Sequence, residues 1–262
     1  LHDALPIFLK EGIMVYLGSK AQIAKYLIPI FQNIIDKNNI SIYIEPFVGG
    51  ANIIDKIKCD NRIGYDLSRT LIALLCIARD DCDKIPINGD KEWFNKAKSI
   101  YRGESDESME DYLIGAIQWL GSYGTKGFQG GFANPCKGRD YYKERRNNLI
   151  KQSPNLKDIK FICADYKDII IPDGALVYCD PPYRGTQTYD FIDKKQFNYE
   201  EYWNWVRQES SHAIILCSEE NFPDDFTVIK EIPKRRGLKQ DNNLIAVEKL
   251  GFYDKAYFRN LI

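Results

Sequence analysis

The chain has 262 residues, 44% hydrophobic and 28% charged, enough for one sizeable α/β domain with room for an inserted subdomain. A formal charge of −1 announces no nucleic-acid partner, so any such partner must come from local patches, and no apolar run approaches the ~20 residues of a membrane helix. Seven cysteines (59, 76, 82, 136, 163, 179 and 217) without a C-x-x-C pair, and only His2 and His212, argue against a disulfide framework, a zinc site or a His-based triad; buried thiols in a reducing compartment are expected.

The opening "LHDALPIFLKEGI" has an early acid and no basic n-region, and is a poor signal peptide. Met14 is the expected natural start, with residues 1–13 an extension. After it comes a short strand or loop, then a helix from about Ala21 with Ile23, Leu27, Ile30 and Ile34 at helical spacing. "SIYIEPFVGGANIIDKI" reads as a strand over Ser41–Ile44, a glycine turn and a helix; "NRIGYDLSRTLIALLCIARD" reads as a strand to Asp66 and a helix. Two such units predict a parallel sheet covered by helices. The composition then shifts. Residues 80–112 carry ten acids against five basic residues, and residues 123–160 carry nine basic residues against three acids. Residues 81–157 read as an inserted, mostly helical lobe with one exposed basic loop. The β/α pattern resumes with strands into Asp165 and Asp180, a helix around Glu200–Gln208 and the strand "HAIILCS". The segments "FTVIKEIPKRRG" and "NLIAVEKLGFY" predict a closing hairpin.

Four acids, Glu45, Asp66, Asp165 and Asp180, fall just past predicted strands, where the ligand crevice of a parallel sheet lies. Any one of them could be a plain helix cap; four in register are harder to dismiss. Gly49 and Gly50 permit close backbone approach, and Asp66, 16 residues after Gly50, stands where a carboxylate can accept both ribose hydroxyls. That pair suggests a nucleoside-containing cofactor. Asp180-Pro181-Pro182-Tyr183 stops a buried strand with two fixed φ angles, an acid and an aromatic face. A turn rich in acceptors and poor in donors suits an amino group, and the aromatic face suits a stacked base.

These boxes resemble the amino-group DNA methyltransferases. Asp180-Pro181-Pro182-Tyr183 matches their D-P-P-Y box, "EPFVGG" their F-x-G box and "YLGSK" their opening x-x-G-x-K box. The order, with an insert before D-P-P-Y, resembles the Dam-type (D12) subgroup, and "YRGTQTYD" and "LCSEENFPDDF" are similar to phage and prophage members. The resemblance implies a Rossmann-like α/β fold with a mostly parallel seven-stranded sheet, an antiparallel C-terminal hairpin and a helical insert. The catalytic domain would be 14–80 and 158–262, and the target-recognition lobe 81–157. S-adenosylmethionine is the implied cofactor, bound by Tyr16, Lys20, Glu45, Phe47, Gly49, Gly50, Asp66, Asp165, Tyr166 and Asp180, with no metal. Asp180 and the Pro181 carbonyl would hold the target N6, in a turn completed by Pro182, with Tyr183 stacked on a flipped base. The implied substrate is double-stranded DNA, faced by Tyr123, Phe128, Lys137, Arg139, Lys143, Arg145 and Arg146; Lys234-Arg235-Arg236 is a second basic cluster. For Lys143–Arg146 a solvated helix face is the alternative. A cognate restriction endonuclease is a candidate partner, and the expected setting is the cytoplasm of a bacterial or phage-infected cell, as a monomer or weak dimer. N4-cytosine methylation, RNA as substrate and a catalytically dead DNA-binding module are the alternatives. Asn134-Pro135-Cys136 contains the Pro-Cys of C5-cytosine enzymes but lies in the basic insert, away from a core strand end.

Overall fold

Helix α1 (Ala24–Asn38) starts three residues later than the apolar spacing suggests. Ser19 accepts a hydrogen bond from the Ala21 amide and caps a tighter 3-10 turn over Lys20–Gln22. The buried stripe of α1 is Ala24, Leu27, Phe31, Ile34 and Ile35, so Phe31 fills the place expected for Ile30. In this computed structural model, residues 13–16, 18–182, 197–235 and 245–261 are described.

The strands are β1 (Ile42–Glu45), β2 (Asn61–Asp66), β3 (Ile159–Cys163), β4 (Leu176–Cys179), β5 (Ile214–Glu219), β6 (Phe226–Arg235) and β7 (Ile245–Tyr253). They form one seven-stranded sheet in the order β3-β2-β1-β4-β5-β7-β6. β1 to β5 are parallel, and β7 runs antiparallel to both β5 and β6. The expected parallel core with an antiparallel closing hairpin is therefore present. From β1 the chain runs to β2 and β3 on one side and later to β4 and β5 on the other. That reversal opens a crevice at the carboxyl ends of β1 and β4.

Both faces of the sheet are apolar, as a parallel sheet requires. Tyr43, Leu176 and Tyr178 pack on one face with Leu27 and Phe31 of α1 and with Leu71, Leu74 and Leu75 of helix α2 (Arg69–Asp80). Ile44, Val177 and Cys179 face the other way, against Tyr202, Trp205 and Val206 of the helix Tyr199–Glu209. The segment between α2 and β3 holds α3 (Lys91–Tyr101), α4 (Asp111–Gly115) and α5 (Tyr141–Leu156), so the Tyr199–Glu209 helix is α6. Helix α4 runs directly into a π-helical turn, Ala116–Leu120. Trp119, Phe128, Leu149 and Leu156 of this segment belong to the same core as Leu27 and Leu71. A Cβ placed on Gly115 would stand 2.1 Å from the Thr70 carbonyl oxygen, so α4 lies directly on α2. Of the seven cysteines only Cys179 and Cys217 are buried, while Cys136 and Cys163 are exposed; buried thiols are thus the exception. Among the described residues no helix is long and apolar enough to cross a membrane.

Candidate active site

The opening box is folded back onto the glycine loop. Gly18 has a φ of +80°, and the Ser19 amide bonds to the Tyr16 carbonyl at 3.1 Å. Asn52 clamps the box from below, donating to the Met14 carbonyl (2.9 Å) and the Ser19 hydroxyl (2.8 Å). Tyr16 lies against the loop that follows β1. A Cβ on Gly49 would come within 3.0 Å of the Tyr16 ring, and Gly49 also adopts a left-handed φ of +50°. Glycine is therefore required there on two counts.

Lys20 carries this box to the D-P-P-Y turn. Its buried ammonium sits 2.6 Å from Asp180 Oδ1 and 3.8 Å from Glu248 Oε1 on β7, and donates to the Gly18 carbonyl at 3.4 Å. Asp180 follows β4 directly. No donor among the described residues reaches the Pro181 carbonyl, whereas the Pro182 carbonyl accepts the Tyr199 hydroxyl at 2.5 Å. The turn is thus pinned by the first residue of α6. Tyr183 and the following loop to Tyr189 lie outside the described residues.

The acids at the strand ends do converge. Glu45 closes β1, is buried and accepts the Tyr43 hydroxyl at 2.9 Å. Burial pushes its carboxyl well above the usual range, with Asp55 and Asp180 adding to the shift. Asp66 closes β2 and ties two loops together, accepting the Gly49 amide (3.1 Å) and the Ser68 amide (2.9 Å). Burial raises Asp66 to about 6, opposed by the Ser68, Gly49 and Leu67 amides. Asp165 accepts the Lys167 amide at 3.1 Å and caps the turn Tyr166–Asp168, one residue past the Ala164 amide that bonds to the Asp66 carbonyl. Phe47 and Tyr166 face each other at 5.4 Å between ring centroids, beside Phe197 and Tyr202.

Two further acids join the rim without having been singled out in the sequence. Glu219 closes β5 and is buried; desolvation lifts it to about 7, with Asp180 and Glu248 adding to the shift. It obeys the same strand-end rule as the other four and was legible by it. Glu248 is fully buried in the middle of β7, where no strand-end signal exists. The Lys20 ammonium thus meets Asp180 and Glu248, and Glu45 and Glu219 stand close enough to Asp180 for its charge to raise them.

The basic segment divides. Tyr123 is exposed, 67% of its surface reaching solvent, and Lys137 and Lys143 are also exposed. Arg139 grips Glu144 with two bonds of 3.0 and 2.6 Å, and Arg146 donates to the Ile85 carbonyl at 2.8 Å. Two expectations are corrected. Phe128 is 1% exposed, packed on Phe94 and Tyr101 at 5.2 and 5.4 Å, and has no face to offer DNA. Arg145 is buried and donates to the Leu120 (3.0 Å) and Ser122 (2.6 Å) carbonyls, so its guanidinium closes the end of the π turn and does not reach a phosphate. Burial lowers Arg145 to about 10. The side chains of Lys234-Arg235-Arg236 lie outside the described set.

Residues 16–205 match the family described as D12 class N6 adenine-specific DNA methyltransferase. The chain is also similar to the Type II methyltransferase M.MjaIII of Methanocaldococcus jannaschii, 24% identical over 269 residues that cover 86% of this chain and 92% of that protein.

Proposed function

The chain belongs to the D12 class of N6 adenine-specific DNA methyltransferases, and from that premise we propose that S-adenosylmethionine is its methyl donor and Asp180 the side chain that holds the target amino group. The enzyme is a DNA adenine-N6 methyltransferase, which closes the choice left open between adenine and cytosine. The observation that carries the assignment of Asp180 is its place: at the end of β4 beside the switch point, 2.6 Å from Lys20 of the opening box.

The residues present fit the donor. Asp66 is a buried carboxylate at the end of β2, and a carboxylate with two amides bound keeps acceptor capacity for ribose hydroxyls. Phe47, only partly buried, is proposed to face the adenine, with the buried Tyr166 packed against it as support. Glu45, Glu219 and Glu248 line the rim with buried carboxyl groups, and a bound sulfonium would favour their ionised form. When bound, the cofactor supplies an electrophilic methyl group. The chain's own part is positioning. The adenine N6 lone pair is delocalised into the ring, so the amino nitrogen is a poor nucleophile. Accepting its two protons at the Asp180 carboxylate and the Pro181 carbonyl favours a pyramidal nitrogen with its lone pair aimed outward. The methylated nitrogen then gives up one proton, for which the Asp180 carboxylate that already accepts its hydrogen bond is the route to solvent. Tyr183 is proposed to stack on the flipped base.

DNA is proposed to lie over the exposed part of the basic segment, with Tyr123 against bases and Lys137, Arg139 and Lys143 against phosphates. Because M.MjaIII is a Type II methyltransferase, protective, site-specific methylation paired with a cognate endonuclease in the cytoplasm is the proposed setting. The test is tritiated-methyl transfer from S-adenosylmethionine to unmethylated DNA, followed by nucleoside analysis. Wild type should yield N6-methyladenine, and Asp180→Ala should lose about a hundredfold or more of the rate while still binding DNA. DNA binding by both proteins with transfer by neither would support a binding module.

A further inference from the structure

Two glutamines of the segment between α2 and β3 are almost completely shielded from solvent, and neither belongs to any of the three boxes. Gln118, in the π turn, is 1% exposed; Gln152, on α5, is fully buried. A buried amide is unfavourable unless its hydrogen bonds are made. Gln152 makes them to the loops that frame the proposed cofactor pocket, and Gln118 bonds to the first turn of α2, next to the Asp66–Ser68 turn. Gln152 accepts the Met14 amide at 3.0 Å and donates to the Gly50 and Ala51 carbonyls (3.2 Å each) and to Asp55 Oδ2 (3.1 Å). It thus joins the residues leading into the opening box to the glycine loop. Only a side chain that both accepts and donates can do this, which excludes leucine and a carboxylate alike.

Gln118 braces the opposite wall. Its Oε1 accepts the Thr70 hydroxyl at 2.5 Å. Thr70 Oγ1 lies 3.4 Å from Ser68 Oγ, and the Ser68 amide holds Asp66. The next residue, Trp119, packs on Tyr16 at 5.3 Å, and Tyr16 in turn covers Gly49. Adjacent residues of one π turn therefore reach both the ribose acid and the glycine loop. Such turns insert one extra residue into a helix and re-aim the side chains that follow.

We propose that Gln118 and Gln152 are positioning residues that set the separation of the glycine loop from the Asp66–Ser68 turn, and thereby the affinity for the cofactor. This rests on the S-adenosylmethionine reading above. The test is calorimetric titration of the full chain, without DNA, with S-adenosylhomocysteine, alongside thermal denaturation. Gln118→Leu and Thr70→Val each break the Gln118–Thr70 hydrogen bond and should weaken binding about tenfold, with Thr70→Ser, which keeps the hydroxyl, within about twofold of wild type. Gln152→Leu should weaken binding at least as much. If Gln152→Leu does not fold, the Thr70→Val and Thr70→Ser pair still decides. A lowered melting temperature with unchanged affinity in Thr70→Val and Gln118→Leu would overturn the proposal, since that is the signature of a purely structural role. Wild type that does not bind S-adenosylhomocysteine would instead overturn the cofactor assignment, and the proposal with it.

Discussion

Asp66, proposed to receive the ribose, is a carboxylate on which burial and bound amides act in opposite directions. Desolvation raises it to about 6, while the amides of Ser68 and Gly49 pull it back towards ionisation. Its folded-state value lies above the ~3.9 of an unfolded Asp, so the folded state holds the proton more tightly. Its contribution to stability is therefore greatest below about pH 4, declines as pH rises to about 6, and is constant above that. Ligand binding follows the opposite course, because ribose hydroxyls donate to the ionised form. Affinity for S-adenosylhomocysteine should be flat above about pH 7 and fall towards about tenfold per pH unit below pH 6; Asp66→Asn should bind more weakly and flatten that profile. Titrations at several pH values check this, and a wild-type profile flat to pH 5 would remove Asp66 from the pocket. Asp66, Asp180 and Lys20 were legible because each belongs to a short local pattern. Glu248 was not, because a single acid in an amphipathic strand resembles a solvent-facing residue until the neighbouring strands are in place.

Helix α2 and the α4–π unit are in close backbone contact. Gly115 makes it possible, with the Thr70 carbonyl where its Cβ would be. Backbone cannot yield as a flexible side chain does, so Gly115→Ala should separate the helices and cost about 1–3 kcal/mol or more. Chemical denaturation measures this directly, and a change below about 0.5 kcal/mol would show that the crossing tolerates a methyl group. The same unit explains why the basic segment was only partly readable. Lys143, Arg145 and Arg146 look alike as charge on a helix. The π turn leaves carbonyls near its end in need of a donor, and Arg145, on the inward side of α5, supplies it to Leu120 and Ser122. Lys143 is exposed, 3.7 Å from Asp140.

Across the molecule, the sheet and the inserted segment share one core. Trp119, Phe128, Leu149 and Leu156 pack in the same cluster as Leu27, Phe31 and Leu71. Replacing residues 91–156 by a short Gly/Ser linker should therefore abolish the cooperative thermal transition, leaving the apolar face of α2 and one side of the sheet uncovered. A sharp transition in that truncated protein, followed by circular dichroism, would instead establish the segment as a separable lobe. The shared core also connects the surface proposed to face DNA with the proposed cofactor crevice: Tyr123 lies four residues after Trp119, which packs on Tyr16.

The mostly parallel sheet, the closing hairpin and the three boxes were readable from the chain alone, and the strand order was not. Strands buried on both faces leave unbroken apolar runs, and each box depends on neighbours close in sequence: an acid after a strand, a glycine in a tight loop, two prolines in a turn. Convergence was another matter. That Lys20 reaches Asp180 across 160 residues of chain, that Glu219 and Glu248 complete an acidic rim, that Phe128 and Arg145 turn inward and that two glutamines brace the pocket all depend on how distant elements pack. A side chain's direction is set by the helix or strand it must fit against, and that neighbour is supplied by a part of the chain with no local trace at the residue itself.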